Sequence, residues 1–400
     1  MKNWFFQSIG TEFYNNPFWE YQKMQKSDIF YDDFLKSWII TRYNDIIEWL
    51  NNKNLTSNRW NSYFWQLSEE EQNHLVELKE FLSKWLLFSD WDYHKKLKTE
   101  LIRSSFFKNI NQFRYDLEEK ARKSLNEHNS HREKFDLLND YALPLSTEVI
   151  SKIFWIPQKD FYEIMDWSND FIIFISRGYA DFELWKQTLE SYYKFKNYVE
   201  SLIDSRNELE FWKNLLDDLL KLHKDWNITK DELLATIWNI LIDWYEPSAL
   251  SICQWLRLIT DNNINIWELQ QSKKWLHEIF RLEPIFMCAA RRAENSTYIN
   301  NTLIEINERV LFILWAWNYD NSVFINPYSF DINRYNSQNN LSFWYWHHKC
   351  IGMWLAHTIV DIWIKEFLRF FDNKNILIEN PTYRESIWMR WFDKLICKIW

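Results

Sequence analysis

The sequence predicts a mainly α-helical fold with small β-sheets, built as a single large domain of residues 1–400. Apolar residues recur at three- and four-residue spacing through long segments, which is typical of helices with one buried face. The clearest of these segments are residues 41–52, 69–87, 190–204 and 230–244. No fixed-period repeat, low-complexity block or Pro-, Gly- or Ser-rich linker divides the chain, which favours one domain.

Strand-like runs are few and short. The clearest is RVLFILWAW, residues 309–317, because β-branched and aromatic residues are frequent in it. Fainter strand patterns lie at residues 297–306 and 376–378. We therefore expect only a minor sheet component.

Composition narrows the class of protein. With 47% apolar residues, the chain can bury a core large enough to enclose a cofactor. A net charge of -9 argues against nonspecific nucleic-acid binding, which depends on basic surfaces. The amino terminus has no apolar signal core, no uncharged apolar run reaches about 18 residues, and the four cysteines form no CxxC pair. We therefore expect a soluble cytoplasmic protein without a membrane anchor.

The stretch LSFWYWHHKCIGMWLAH, residues 341–357, contains the most distinctive motif of the chain. A lone cysteine such as Cys350 is usually a small buried hydrophobe, but here His348 precedes it, a glycine follows it and a helix-forming run comes next. This order resembles the heme-ligand signature of the cytochrome P-450 family, F-G-x-G-x-H-x-C-x-G. Trp344 and Trp346 stand at two positions where the family has glycine.

The resemblance implies the cytochrome P-450 fold, enclosing heme b with Cys350 as the metal ligand. A cysteine thiolate bound to heme iron pushes electron density onto the metal and favours O–O cleavage, and the amino end of the following helix can stabilise the anion. By the same resemblance, His348 would contact a heme propionate. The segment CAARRAEN resembles the family's R-x-A segment and implies that Arg291 contacts a propionate, with Arg292 as the alternative if the register slips by one residue.

A second cationic segment lies upstream. FSDWDYHKKLK resembles the family's D-x-x-x-H-x-x-x-R stretch, with Asp90, His94 and Lys98 at the fixed positions. Because His94 and Lys98 are four residues apart, they lie on one helical face, and two cations there suit the two carboxylates of heme. The alternative is a basic, solvent-facing turn, which is how most charged helix faces behave.

The resemblance also implies a structural network of Glu278, Arg281 and Arg334. HEIFRLEP contains the family's E-x-x-R pair, whose spacing puts both side chains on one helix face. VFINPYSFDINR resembles the family's F-x-x-P-x-x-F-x-x-x-R segment and supplies the third member. An isolated E-x-x-R is usually a solvated surface pair, so the interpretation rests on the order of these segments ahead of Cys350. We expect the network to be buried and to support the ligand loop.

The segment ILIDWYEPSALSI resembles the family's oxygen-activating helix motif, A-G-x-E/D-T. Asp243 stands at the alanine and Trp244 at the glycine. Glu246 keeps the acid, but Pro247 replaces the threonine and removes a backbone N–H, and Ser248 follows one residue late. In the family, the acid and the alcohol help relay protons to bound oxygen. The catalytic candidates are therefore Asp243, Glu246 and Ser248.

Tryptophan is far over-represented and glycine far under-represented. The chain has 27 Trp and 3 Gly, whereas glycine makes up about 7% of ordinary sequences. The simplest account is that one codon read as glycine in the source organism, such as a reassigned stop codon, has been rendered as tryptophan. The rival account is genuine indoles in tight turns and beside heme, at an overpacking cost of about 1–3 kcal/mol each. The tryptophans at positions where the family has glycine or commonly a small residue are Trp244, Trp315, Trp317, Trp344, Trp346 and Trp354.

Three hypotheses for function follow. The leading one is a monomeric heme-thiolate monooxygenase of the soluble bacterial type. It inserts one oxygen atom from O2 into an apolar or amphipathic small molecule, including one tethered to a carrier protein. Its electrons would come from a ferredoxin or flavodoxin with a flavin reductase, docked on a basic patch that includes Lys349. The second is a peroxide-using or rearranging heme-thiolate enzyme, motivated by Pro247. The third is a heme-free helical binding protein, if Trp344 and Trp346 are genuine.

Overall fold

The structure is a computed structural model that describes residues 11–27, 29–60, 64, 66–109, 113–129, 133–177, 181–205, 214–225, 227–372 and 374–400. Helices dominate these residues, as the apolar periodicity predicts. The α-helices in this part of the chain are α1 (Thr11–Asn15), α2 (Phe18–Met24), α3 (Tyr43–Trp49), α4 (Glu69–Ser83), α5 (Trp91–Arg103), α6 (Ser105–Lys108), α7 (Phe113–Ser124), α8 (Leu143–Phe154), α9 (Phe161–Arg177), α10 (Phe182–Asp204), α11 (Leu215–Lys224), α12 (Lys230–Asp261), α13 (Ile266–Gln271), α14 (Trp275–Leu282), α15 (Leu314–Asn318) and α16 (Met353–Phe370).

The strands are short and form three small sheets within the described residues. They are β1 (Phe30–Asp32), β2 (Ser37–Ile40), β3 (Leu55–Thr56), β4 (Lys134–Asp136), β5 (Ala289–Ala293), β6 (Thr297–Ile299), β7 (Thr302–Ile304), β8 (Arg309–Phe312), β9 (Ile376–Ile378) and β10 (Ile396–Ile399). One sheet has the order β1-β2-β8-β5-β3, the second has the order β4-β10-β9, and β6 pairs with β7. In the first sheet β2 and β8 run parallel, whereas β1–β2 and β5–β8 are antiparallel. The predicted fold class, mainly helical with small sheets, is confirmed.

The predicted strand over residues 309–317 is correct in its first half and wrong in its second. β8 ends at Phe312, and α15 begins at Leu314. Every residue from Val310 to Asn318 is buried, and a continuous apolar run cannot be assigned to strand or helix from periodicity alone. The fainter predictions are confirmed, because β6 and β7 form a hairpin within residues 297–306 and β9 coincides with residues 376–378.

Backbone packing divides the chain into two compact units. The larger unit comprises Met1–Leu55, Asn111–Leu145 and Pro247–Trp400, and the smaller unit comprises Thr56–Ile110 and Ser146–Glu246. The single domain expected from the sequence stays a prediction.

The larger unit has apolar residues buried on both faces of its five-stranded sheet. Because side chains alternate along a strand, Leu311 and Ala290 belong to one buried cluster, whereas Val310 and Phe312 belong to another. A shift of one residue would exchange the two sets of side chains, so burial on both faces specifies the register of β5 against β8. That register positions Arg291, which β5 carries.

In the smaller unit, α10 packs against both α9 and α4. Helix α4 begins with a capping box, in which the Ser68 hydroxyl accepts from the Glu71 backbone N–H and the Glu71 carboxylate accepts from the Ser68 N–H. It buries Leu75, Leu78 and Leu82, at the spacing of one helical face. None of the helices in the described ranges is long and apolar enough to cross a membrane.

Candidate functional site

The Cys350 loop, residues 341–352, connects a tight turn to the start of α16. The Trp344 N–H donates to the Leu341 carbonyl at 2.8 Å, and the Cys350 N–H donates to the Phe343 carbonyl at 2.8 Å. The loop ends at Gly352, the N-cap of the 18-residue helix α16. Cys350 therefore lies just before the positive end of a long helix dipole, which favours a thiolate there.

Cys350 also differs from the other cysteines in exposure. It is half-buried, whereas Cys253, Cys288 and Cys397 are buried. Burial raises the pKa of the Cys253 thiol well above its usual range and that of Cys397 to about 12. Because the thiolate is the form that binds metal, those two thiols are poor ligands.

Glu278, Arg281 and Arg334 are in direct contact in the larger unit. Glu278 and Arg281 lie on α14, and the Glu278 carboxylate accepts from Arg281 Nε and Nη2 at 2.8 Å each. The same carboxylate accepts from Arg334 Nε at 2.9 Å and from the Asp331 backbone N–H at 3.2 Å. Glu278 and Arg281 are 0% exposed and Arg334 is 6% exposed. The arrangement is a buried ion network and not a solvated surface pair.

The network is connected to the Cys350 loop through Asn318. Arg281 Nη1 donates to the Asn318 carbonyl at 2.7 Å. The Asn318 side chain in turn accepts from the Leu341 N–H at 3.0 Å and donates to the Ser342 hydroxyl at 3.1 Å. Two hydrogen bonds, one buried and one half-buried, therefore hold the first residues of the loop to Asn318, and a third joins Asn318 to the network.

The two candidate arginines on β5 have different surroundings. Arg292 Nη1 donates to the Asn307 side chain at 2.8 Å. The Arg291 guanidinium lies 5.9 Å from the centre of the Trp344 ring, and that ring lies 6.2 Å from the His348 ring. The larger unit thus brings Arg291 and His348 to residue 344 of the Cys350 loop. A heme contact by either residue stays a prediction.

In the smaller unit, His94 and Lys98 both lie on α5. The Asp90 carboxylate holds the start of this helix, because it accepts from the Thr56 hydroxyl and the Ser57 N–H, both at 2.6 Å. His94 is 3% exposed and Lys98 is half-buried. A solvent-facing basic turn therefore does not describe His94.

The catalytic candidates lie on α12, which continues through Pro247. Asp243 accepts a 2.6 Å hydrogen bond from Asn239, four residues earlier. Burial raises the pKa of the Asp243 carboxyl to about 7, against the opposing effect of this hydrogen bond. Glu246 and Ser248 are half-buried. Sequence reasoning missed Asn239, although its i,i+4 spacing from Asp243 was a usable signal.

A histidine pair beside the Cys350 loop was also missed. The His357 ring on α16 lies 5.1 Å from the His277 ring, 4.7 Å from Phe280 and 5.4 Å from Phe343. Burial, together with His277 and Lys349, lowers the pKa of His357 to about 4. No spacing in the sequence indicates this pair, because its two members belong to different helices that meet through tertiary packing.

Comparisons with known proteins agree with one another. The sequence model described as Cytochrome P450 matches residues 265–382, the range that contains the buried network and Cys350. The polyketide biosynthesis cytochrome P450 PksS of Bacillus subtilis (strain 168) is 23% identical over 99% of this chain and 98% of that protein. The biotin biosynthesis cytochrome P450 of the same organism is 23% identical over 97% of each chain.

Solved structures show the same fold. The crystal structure of P450BioI, in complex with an acyl carrier protein ligated to hexadec-9Z-enoic acid, has a TM-score of 0.83 and 22% identity and covers 98% of this chain and 100% of that chain. Cytochrome P450epoK bound to epothilone D has a TM-score of 0.84 at 18% identity and covers 98% of each chain.

Proposed function

Because the chain belongs to the cytochrome P450 family of heme-dependent monooxygenases, we propose that it inserts one oxygen atom from O2 into an amphipathic molecule tethered to a carrier protein. The observation that supports this proposal best is the Cys350 loop, in which a half-buried thiol precedes a long helix and the buried Glu278 network holds the loop's first residues. The tethered substrate is suggested by the relatives: one is named for polyketide biosynthesis, and the structure of P450BioI holds an acyl carrier protein.

Heme b is the cofactor of this family, and most of the residues near the loop fit it. A soft thiol, a buried guanidinium and an imidazole match the iron and propionates of a heme. The backbone fits as well, because residues 344 and 346 have φ of 62° and 52°, a conformation that favours glycine. The two positions carry indoles where the backbone favours glycine: the Trp344 ring lies 5.9 Å from the Arg291 guanidinium, and Trp346 is 63% exposed.

A thiolate-ligated heme supplies the activation of oxygen when it is bound. The protein's own contribution in the larger unit is positional: the Glu278 carboxylate orients Arg281, Arg281 fixes Asn318, and Asn318 holds the backbone at Leu341. In the smaller unit, burial raises the pKa of the Asp243 carboxyl to about 7, so this group can gain and release a proton near neutral pH, and Asn239 donates a hydrogen bond to it. We assign Asp243, Glu246 and Ser248 to proton delivery.

We propose a ferredoxin or flavodoxin, reduced by a flavin reductase, as the electron donor, since bacterial members of the family take electrons from redox partners. These carriers are acidic, so they require a local basic patch on a chain whose net charge is -9. Lys349 is exposed on the Cys350 loop and is a candidate for that patch. A Lys349→Glu variant should slow electron transfer more at low salt than at high salt.

The test of the proposed function uses isotope labelling. The protein is supplied with a ferredoxin, a flavin reductase and NADPH under 18O2, with hexadecanoyl acyl carrier protein or free hexadecanoic acid as probe. We expect one 18O atom in the carrier-bound chain and slower turnover of the free acid. Equal turnover of both probes would contradict the tethered substrate, and 18O entering from labelled peroxide but not from 18O2 would contradict the use of O2.

A second candidate function is favoured by Pro247. This residue provides neither a hydroxyl nor a backbone N–H at the position of the family's threonine, and its carbonyl accepts from the Ser251 hydroxyl at 2.6 Å. An enzyme that uses peroxide would need no proton relay from that position. Product formation with hydrogen peroxide in the absence of reductant, and none with O2 and reductant, would favour this candidate.

A further inference from the structure

The backbone conformation separates four tryptophans from the others. Among the described residues, nine that are not glycine have positive φ: four Asn, four Trp and Lys36. Asparagine tolerates this left-handed region, but a bulky side chain there is an outlier. The four tryptophans are Trp91 (φ 50°), Trp155 (φ 56°), Trp344 (φ 62°) and Trp346 (φ 52°).

Trp155 shows the requirement for glycine without reference to any family motif. It follows the last residue of α8, Phe154, and the Ile156 N–H donates to the Ser151 carbonyl at 2.9 Å. This six-to-one hydrogen bond is the Schellman motif, whose residue at the left-handed position is usually glycine and sometimes asparagine. Helix α12 ends in the same way, with Asn263 (φ 53°) and an Ile264 N–H to Ile259 carbonyl bond of 3.1 Å. Two helices thus share one terminating geometry, with a tolerated residue in one and an indole in the other.

Trp344 and Trp346 show the same conflict in the Cys350 loop. Their backbone takes the left-handed conformation that glycine adopts most readily, and the Trp344 ring lies at cation–π distance, 5.9 Å, from the Arg291 guanidinium. Trp346 is 63% exposed, so its indole gains little from burial that would compensate for the strained backbone. The backbone therefore favours glycine at both positions, and at residue 346 burial of the side chain does not offset the cost of the conformation.

We infer that residues 91, 155, 344 and 346 are glycine in the protein that the organism makes, so that one codon of this gene is read as glycine. For an L-residue, the left-handed conformation lowers the ratio of folded to unfolded protein by a factor of about 5–30 at each site. The penalties at residues 344 and 346, two apart in one loop, are coupled, and glycine removes the penalty at each of the four sites. Trp91 and Trp155 lie outside the Cys350 loop, so the evidence from these two residues does not depend on the proposed function.

Peptide mass spectrometry of the protein isolated from its organism tests the inference directly. We expect glycine at all four positions, and we expect all four to share one codon that differs from UGG, the tryptophan codon. Tryptophan at any of the four positions in the native peptides, or a UGG codon there, would overturn the inference.

Recombinant variants test the backbone argument. Trp155→Gly should raise the ratio of folded to unfolded protein about fivefold or more, and Trp155→Ala should not match it, because alanine keeps the Cβ. Asn263→Gly is the matched control at the same Schellman position and should change the ratio little. Trp167→Gly, inside α9, should lower it, because glycine disfavours a helix interior. An unchanged or lower ratio for Trp155→Gly would count against the inference.

A double variant separates this inference from the proposed function. Trp344→Gly combined with Trp346→Gly should raise the heme content of the purified protein. Native peptides with glycine but a double variant without heme would leave the inference standing and remove the proposed function. Native peptides with tryptophan, from a protein that contains heme, would remove the inference and leave the proposed function standing.

Discussion

Removal of the Glu278 carboxylate should destabilise the larger unit severely. This carboxylate is 0% exposed and accepts four hydrogen bonds, two from Arg281, one from Arg334 and one from the Asp331 N–H. Glu278→Ala leaves two guanidinium groups buried without their counter-ion, which costs about 3–5 kcal/mol. The Asp331 N–H that loses its acceptor adds about 1 kcal/mol. The sum is a large fraction of the 5–15 kcal/mol that typically stabilises a folded protein.

The free energy of unfolding, measured by urea titration and circular dichroism, checks this prediction. Glu183→Ala is the matched control, because Glu183 forms an ion pair with Lys186 at the same i,i+3 spacing but with side chains 78% and 39% exposed. The control should lose less than about 1 kcal/mol. Glu278→Gln, which keeps the shape and one carbonyl acceptor, should fall between the two. A loss for Glu278→Ala no larger than that of the control would refute the argument that burial gives this network its strength.

Three further predictions concern titratable groups. In the protein with glycine at residues 344 and 346, Cys350→Ser should abolish the red-shifted Soret band of the reduced carbon monoxide complex. A retained band would show that another cysteine is the iron ligand. Burial raises the pKa of Asp243 to about 7 from 3.8, so its ionisation opposes folding increasingly as pH rises between these values. Asp243→Asn should therefore raise the free energy of unfolding by about 2–4 kcal/mol at pH 8 and by little at pH 4, and a difference independent of pH would contradict this. The pKa of His357 is lowered to about 4 from 6.5, so protonation favours the unfolded chain as pH falls. Between pH 7 and pH 5 this group should remove about 2 kcal/mol from the free energy of unfolding, so the change over that range should be about 2 kcal/mol less favourable in the unmodified chain than in His357→Gln. The same change in both proteins would show that His357 is not the titrating group.

The local pattern predicted elements well where one face of a helix is buried. Helix α4, Glu69–Ser83, follows the apolar spacing of the predicted segment 69–87 and ends four residues before it does. The same kind of pattern failed beyond Phe312, where all residues are buried and no polar face marks the period. Periodicity reports which side of an element meets water, so it has no information where no side does.

The candidate site shows a similar division between short-range and long-range information. The spacing of Glu278 and Arg281 predicted their pairing, because residues three apart on a helix are neighbours. Asn318 has no such spacing to Leu341, yet it joins the network to the Cys350 loop. The choice between Arg291 and Arg292 was open in the sequence as well, and the environment of β5 separates the two, since Arg292 contacts Asn307 while Arg291 lies beside residue 344.

The sequence by itself determined the helical fold class, the order of the motifs around Cys350 and the anomaly of 27 Trp against 3 Gly. These follow from residue type and from spacing along the chain, which are properties that one sequence contains. Only the tertiary structure decided which tryptophans occupy a glycine conformation, and it separated Trp155 and Trp344 from tryptophans such as Trp167 in a helix interior. The physical reason is that φ at a turn is set by the elements that the turn connects and not by the type of residue at that position.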